Sequence, residues 1–177
     1  EPEASTKTPI ANMKLYVSPG APNPTRVRLY VAEKNAIEVT VHVAEVTLDL
    51  KAGQQRAAAH LARNPIGKVP VLEIEDGLFL TESLAIIEYL EELLPVPPML
   101  GTTSLERAKV RELDRIAELR VLLPLGRLVH ATRSPMARDP DPAVVDHYRN
   151  MLPIGLQYIN DRLRDGRPFI AGDGPTI

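Results

Sequence analysis

Hydrophobic and polar positions change period several times along the first half of the chain. KLYV (14–17) is a short apolar run, and the apolar residues within 27–31 are spaced as in a short buried helix. EVTVHVAEV (38–46) alternates and is rich in β-branched residues, which predicts a second strand. The first three elements are therefore predicted to be β-α-β.

The elements that follow are predicted by composition and by one turn. GQQRAAAHLARN (53–64) is alanine-rich and favours a helix. The apolar runs 69–75 and 78–82 flank Asp76-Gly77, a dipeptide typical of a type I′ hairpin, in which both central residues have positive φ. SLAIIEYLEELL (83–94) is amphipathic and ends at a proline. The full order, β-α-β-α-β-β-α, predicts a small mixed sheet with helices on its faces.

A proline-rich segment divides the chain. PVPPMLG (95–101) holds three prolines in seven positions and cannot continue a helix, so we interpret it as a linker between domains. The predicted organisation is a flexible lead-in over 1–12, an α/β domain over 13–94 and an all-helical domain over 102–177.

Capping residues and internal prolines define the helices of the second domain. Thr103 or Ser104 can cap a first long helix, and Asp141-Pro142 supplies an N-cap and an N1 proline for a second. Pro124 and Pro153 fall inside these two helices and should kink them.

Composition and charge exclude several classes of function. A formal net charge of -2 offers no basic surface for nucleic acid. The absence of cysteine excludes disulfides, thiolate metal sites and catalysis by a protein thiol. No apolar run reaches the roughly 18 residues that span a bilayer, and the lead-in has no secretory signal pattern. We therefore expect a cytoplasmic protein without a metal, a nucleic-acid partner or a membrane span.

The first candidate site surrounds a proline at the start of a predicted strand. Pro70 cannot donate to a sheet, and a cis Val69-Pro70 bond would present the N–H and C=O of Val69 outward, where a peptide ligand can pair with them. Glu82 and Ser83 lie where the last strand meets a helix. A helix N-terminus and the Ser83 hydroxyl suit a carboxylate, and Glu82 suits an ammonium group.

Each of these residues also has an ordinary structural interpretation. Pro70 can simply begin a strand, Glu82 can stabilise the helix dipole, and Ser83 can be an N-cap. The combination is more specific than its parts, because NPxGxVP, a DG hairpin and an ES pair follow one another within residues 64–83.

These motifs carry a resemblance to a known family. NPIGKVPVLEIEDGLFLTES (64–83) resembles the glutathione-binding segment of cytosolic glutathione transferases, and 14–35 and 168–177 are similar to two other motifs of that family. The resemblance covers residues 13–177. It implies a thioredoxin-like domain followed by a helical bundle, a homodimer, glutathione as co-substrate, and a small hydrophobic electrophile bound between the two domains.

The resemblance also implies roles for individual residues. Val69 would pair with the cysteinyl backbone of glutathione, and Glu82 and Ser83 would hold its γ-glutamyl end. Gln55 and Lys68 stand where such enzymes contact the glycine carboxylate.

Conjugation by this family requires a donor that stabilises the glutathione thiolate. Lowering a thiol pKa from about 8.5 by roughly two units corresponds to about 2.7 kcal/mol, within reach of one hydrogen bond to a charged group. The residues that the family commonly uses are missing: Val17 stands in the tyrosine position, Ala21 in the serine position and Pro22 in the cysteine position.

Three polar residues remain in this turn, namely Ser18, Asn23 and Thr25. We rank Asn23 first as the catalytic residue and Ser18 second, and the N–H groups at the helix N-terminus can contribute. Asn23 also precedes Pro24, so it could be an N-cap without any catalytic role.

Two alternative functions stay open at this point. One is glutathione-dependent reduction of peroxides or disulfides without a protein thiol, and the other is a non-catalytic glutathione-binding module. The chain ends at 175–177, where the resemblance predicts a capping motif that opens a central helix, so we expect the helical domain to be incomplete.

Overall fold

The computed structural model describes residues 13–37, 41–136 and 139–177. The chain divides into two compact units, Glu1–Pro98 and Met99–Ile177. The boundary falls inside the proline-rich segment 95–101. The predicted lead-in, 1–12, lies outside the described residues.

The first unit is a four-stranded mixed sheet with helices. Its strands are β1 (Lys14–Val17), β2 (Ala44–Thr47), β3 (Val71–Glu75) and β4 (Leu78–Thr81). Its helices are α1 (Pro22–Ala36), α2 (Ala58–Leu61) and α3 (Ser83–Leu93), with a 3-10 turn at Gln54–Arg56. The strand order is β2-β1-β3-β4, in which β1 and β2 are parallel and the other two pairs are antiparallel. The thioredoxin-like β-α-β-α-β-β-α prediction is confirmed.

The predicted second strand is shorter than its pattern suggested. Residues 38–40 lie outside the described part of the chain, and 41–43 are not in a strand. The side chain of Asn35 explains the late start, because its Nδ2 donates to the Val41 carbonyl at 3.1 Å and its Oδ1 accepts from the Val41 N–H at 2.6 Å. The backbone of Val41 is thereby satisfied without sheet pairing.

Two local predictions in this unit were wrong in detail. The helix predicted over 53–64 is a 3-10 turn followed by a single helical turn, because Ala57 between them is extended, with ψ of 146°. The β3–β4 hairpin forms at Asp76-Gly77, but Gly77 alone of the two has positive φ, so the turn is not type I′. An irregularity between Glu73 and Glu75 shifts the register, and such bulges add the twist that a type I′ turn otherwise supplies.

The core of this unit lies between the sheet and its helices. Its buried apolar side chains include Leu15, Val17, Val27, Val71, Leu72, Ile86 and Leu90.

A polar stripe on α1 faces α3 across this core. Arg26 Nη1 donates to Ser83 Oγ at 3.3 Å, and the Tyr30 hydroxyl donates to Glu91 Oε2 at 2.7 Å. Lys34 Nζ lies 2.7 Å from the same carboxylate oxygen. Eight residues separate Arg26 from Lys34 at the two ends of the stripe, and eight also separate their partners, Ser83 and Glu91. Eight residues correspond to about 12 Å along a helix. The two helices therefore run side by side in the same direction.

Lys34 is fully buried, with 0% of its side chain exposed. Its ammonium also donates to the carbonyls of Leu94 at 2.7 Å and Pro97 at 2.5 Å, which ties the segment after α3 to α1. Burial, followed by the hydrogen bond to Glu91, raises the pKa of Tyr30, so its phenol stays a donor. A buried charge is tolerated only when it is paired and hydrogen-bonded, as this one is.

Glu91→Ala should destabilise the protein by about 3–5 kcal/mol, because it leaves the Lys34 ammonium buried without its carboxylate. Tyr30→Phe, which removes one donor and keeps the ion pair, should cost about 1 kcal/mol. Urea unfolding of both variants measures the difference. Equal losses in the two variants would show that the ion pair does not organise this interface.

The second unit is built from helices, apart from an isolated β-bridge between Phe169 and Gly172. Its elements are α4 (Ser104–Ala117), a π-helical turn (Glu118–Leu122), α5 (Leu123–Thr132) and α6 (Pro142–Arg162). The all-helical prediction is confirmed. None of the helices in the described part of the chain is long and apolar enough to cross a membrane.

The predicted caps of this unit are present. Thr103 and Glu106 form a capping box at the start of α4. Hydrogen bonds from Thr103 and Thr102 lower the pKa of the Glu106 carboxyl to about 2. At the start of α6, the Asp141 side chain accepts from the Val144 N–H at 3.2 Å.

Pro124 and Gly155 explain the π-helical turn and the way α6 packs against it. Pro124 has no N–H and cannot donate to the Arg120 carbonyl four residues earlier, so regular α-helical pairing is interrupted there. α6 crosses this turn at Gly155, where an added Cβ would lie 2.2 Å from the Arg120 carbonyl oxygen. The close approach of the two backbones requires a glycine.

Gly155→Ala should lower the stability of the helical unit by about 1–3 kcal/mol, because the added methyl group collides with backbone. Gly126→Ala in α5 is the matched control, since its Cβ would meet nothing within 4 Å. Helix propensity alone predicts that the control gains about 1 kcal/mol. Thermal and urea unfolding measure both changes, and an equally tolerated Gly155→Ala would contradict the packing described.

Candidate functional site

Three chain segments meet at one end of the sheet. Val71 is the residue that pairs with both Tyr16 of β1 and Thr81 of β4. The residues two positions beyond these three, toward the same end, are Ser18, Val69 and Ser83. The candidates predicted from separate parts of the sequence are therefore neighbours at this sheet end.

The Val69-Pro70 peptide bond is cis, as predicted. Pro70 is buried and Val69 is half-buried, immediately before β3. Within the described residues, neither the N–H nor the C=O of Val69 has a hydrogen-bond partner. The main chain of Val69 can therefore pair with an extended ligand, as a β-strand would.

Glu82 and Ser83 form the start of α3. Glu82 is the N-cap with an exposed side chain, and its φ of 68° is unique among the described non-glycine residues. Such a conformation costs on the order of 1–3 kcal/mol and is found most often at functional sites. Ser83 is the first helical residue rather than an N-cap, and it is 5% exposed. Its Oγ accepts a hydrogen bond from Arg26, so its own proton is free to serve another acceptor.

The predicted N-cap role of Asn23 is wrong. α1 begins at Pro22, its N-cap is Ala21, and Asn23 lies exposed in the first turn. A proline is favoured at the first helical position, which places the helix start before Asn23. Ser18 follows β1 directly and is buried, and its carbonyl accepts from the Ala21 N–H at 3.2 Å.

Two other hydroxyls in this region are engaged elsewhere. Thr25 Oγ1 donates to the Ala21 carbonyl at 2.9 Å. The Tyr16 hydroxyl donates to Glu73 Oε2 at 2.6 Å, and Lys14 bonds the other oxygen at 3.0 Å. These two contacts lower the pKa of Glu73, whereas burial raises the pKa of Tyr16. Tyr16 is thus a neutral donor within the sheet, and its hydroxyl is already used by Glu73.

Gln55 and Lys68 lie on adjacent segments. A Cβ at Gly67 would be 2.9 Å from the Gln55 carbonyl oxygen, so the 3-10 turn is pressed against the loop that carries Lys68. The Lys68 side chain is exposed. Gln55 Oε1 is buried and has no hydrogen-bond partner among the described residues. A buried amide oxygen without a partner is uncommon and indicates a group that a ligand can satisfy.

The loop before Val69 is held by side chains that were not predicted. His60 Nε2 lies 3.0 Å from the Lys68 carbonyl oxygen, and Asn64 Nδ2 donates to the same oxygen at 3.1 Å. Arg56 Nη1 donates to the Ile66 carbonyl at 3.3 Å.

The sequence analysis also missed Arg26, which contacts Ser83 at the start of α3. Its four-residue spacing from Tyr30 and Lys34 was the available signal.

Known proteins resemble this chain in its first unit and over most of its length. Residues 11–92 match the family described as Glutathione S-transferase, N-terminal domain. Over 170 residues the chain is 33% identical to Glutathione S-transferase 2 of Saccharomyces cerevisiae, an alignment that covers 91% of this chain and 69% of the yeast protein. The chain belongs to the glutathione S-transferase family.

Other members of the glutathione S-transferase family and related enzymes are also similar. A glutathione S-transferase domain-containing protein from Marinobacter aquaeolei VT8 has 32% identity and a TM-score of 0.81, with 92% of this chain and 80% of that chain covered. A maleylacetoacetate isomerase from Pseudomonas aeruginosa is 40% identical over 99 residues, which cover 56% of this chain and 45% of the isomerase. The predicted family and fold are confirmed.

Proposed function

We propose that this glutathione S-transferase family member conjugates the glutathione thiolate to small hydrophobic electrophiles. The observation that carries the proposal is the unpaired main chain of Val69 beside the N-terminus of α3, at one end of the sheet. The cytoplasmic location, expected from the sequence, and the homodimer, implied by the family resemblance, stay predictions.

The γ-glutamyl end of glutathione is zwitterionic, and the start of α3 offers partners for both charges. The Ser83 hydroxyl and the first N–H groups of α3 suit the carboxylate, with the Arg26 guanidinium 3.3 Å from that hydroxyl. The Glu82 carboxylate suits the ammonium group. Glu82 occupies the N-cap position of α3, but its carboxylate makes no capping hydrogen bond to the helix, so it stays available to a ligand.

The rest of the tripeptide would extend along the loop. The N–H and C=O of Val69 pair with the cysteinyl backbone, and Gln55 and Lys68 bind the glycine carboxylate. In the present orientation the buried Gln55 Oε1 would accept from a ligand N–H. A half-turn of the side-chain amide would instead place Nε2 there as a donor to the glycine carboxylate.

Ser18 and Asn23 are the proposed thiol-activating residues. Ser18 lies at the buried end of β1, beside Val69, which supports a thiol-activating role for this serine. Asn23 is exposed in the first turn of α1, which supports that role less for the asparagine. A hydroxyl that donates to the thiolate stabilises the anion by about 1.5–3 kcal/mol, enough to lower the thiol pKa by one to two units.

Ser83→Ala should weaken glutathione binding by about 1–3 kcal/mol, since a buried donor to a carboxylate is lost. Ser104→Ala is the matched control, because Ser104 is likewise the first residue of a helix but lies exposed in α4 of the other unit. Isothermal calorimetry measures both affinities. An unchanged affinity in Ser83→Ala would remove this residue from the site.

A pH titration of thiolate absorbance in the glutathione complex should give a thiol pKa one to two units below the free value of about 8.5. Ser18→Ala should return that pKa toward the free value, and Asn23→Ala should leave it low. The reverse pattern would assign the role to Asn23. A wild-type complex with the free-thiol pKa would contradict conjugation and favour a non-catalytic binding module.

A glutathione-dependent isomerase is a second candidate, favoured by the 40% identity to the bacterial maleylacetoacetate isomerase. In such a reaction the thiolate would add to a double bond and leave again, so glutathione is recovered, whereas conjugation consumes it. Measuring free thiol during turnover therefore separates the two activities. Turnover of hydroperoxides, with formation of glutathione disulfide, would instead indicate the reductase alternative.

A further inference from the structure

His60 is buried at the end of α2, with 1% of its surface exposed. Its Nε2 is 3.0 Å from the Lys68 carbonyl oxygen. A carbonyl can only accept, so Nε2 carries the proton in this contact. Nδ1 is buried and has no partner in the described residues, which suits the unprotonated nitrogen of a neutral imidazole.

Asn64 supplies the second donor to the same oxygen. Its Nδ2 donates to the Lys68 carbonyl at 3.1 Å, and its Oδ1 accepts from the Ile66 N–H at 3.1 Å, which fixes the amide orientation. A carbonyl oxygen has two lone pairs, and here both have a donor. The Lys68 carbonyl is therefore held in one direction by two buried side chains.

The direction of this carbonyl decides the direction of the next N–H. Among the described peptide bonds, only those before Pro70 and Pro97 are cis, so the Lys68-Val69 bond is trans. In a planar trans peptide the C=O and the following N–H point in opposite directions. With the Lys68 oxygen held toward His60 and Asn64, the Val69 N–H points away from them and has no protein partner.

We propose that His60 is a positioning residue for the glutathione site. Through the Lys68 carbonyl it orients the Val69 N–H toward the carbonyl group of a bound peptide. The proposal rests on the function proposed above and goes beyond it, because it assigns to α2 a role in ligand affinity. The ring of Tyr16 packs edge-on against the imidazole, with centroids 6.4 Å apart, and Arg63 lies over the Tyr16 ring at 4.5 Å. These contacts hold the imidazole plane.

The test compares one His60 variant that loses the hydrogen-bond donor with another that keeps a donor but loses the ring. His60→Phe keeps a ring of similar size and removes the donor, so the KM and Kd for glutathione should rise about two- to tenfold, the effect of one ordinary hydrogen bond, with kcat unchanged. His60→Gln restores an N–H donor to the carbonyl and should recover most of the affinity. A His60→Phe variant with the wild-type KM, or a His60→Gln variant no better than His60→Phe, would overturn the proposal.

Tyr16→Phe is the control for general destabilisation. It removes a buried hydrogen bond to Glu73 beside the imidazole but leaves the Lys68 carbonyl and its donors in place. Its melting temperature should fall while its KM for glutathione stays at the wild-type value. A KM that follows the melting temperature in all variants would show a merely structural role for His60.

A ligand-free measurement separates this inference from the proposed function. In ¹⁵N NMR spectra of the wild-type protein, Nε2 of His60 should carry a proton. A deprotonated Nε2 would overturn the inference even if glutathione binds. A wild-type protein that binds no glutathione overturns the proposed function and the positioning role together, whereas binding that is insensitive to His60 overturns only the latter.

Discussion

The arrangement of the first unit depends on a lysine ammonium kept out of water. Lys34 is compatible with the core because Glu91 neutralises it and two carbonyls beyond α3 complete its hydrogen bonds. All these partners belong to α3 or the segment after it, so α1 can pack in one register only. A shift by one helical turn would leave the charge opposite apolar side chains, at a cost of several kcal/mol.

The site follows from that register. Fixing α1 beside α3 at Lys34 also aligns the second turn of α1 with the start of α3, where Arg26 meets Ser83. The same end of the sheet carries Ser18 and Val69, because β1 and β4 both pair with Val71. The residues proposed to bind the ligand are thus brought together by helix packing on one side and strand pairing on the other, and neither alone would suffice.

Local signals in the sequence were sufficient for the element order, the hairpin position, a capping residue at the start of α4 and the cis Val69-Pro70 bond. The failures involve side chains that bond main-chain groups six or eight residues away, and a helix start at which two prolines, Pro22 and Pro24, are both compatible with the first turn. The Asn35 side chain binds the Val41 backbone in place of a neighbouring strand. Pro22 places the start of α1 before Asn23. The donors to the Lys68 carbonyl were missed because a histidine in an alanine-rich helix has no spacing that marks it as a loop anchor.

If Glu82 binds an ammonium group as proposed, its backbone places stability and ligand recognition in opposition at one position. Glycine would adopt its φ of 68° at lower energy, but it has no carboxylate. Selection for a more robust fold would therefore remove the acid, and selection for a tightly held ammonium group would retain it. Under that proposal, glutamate at this position gives up folding free energy for affinity.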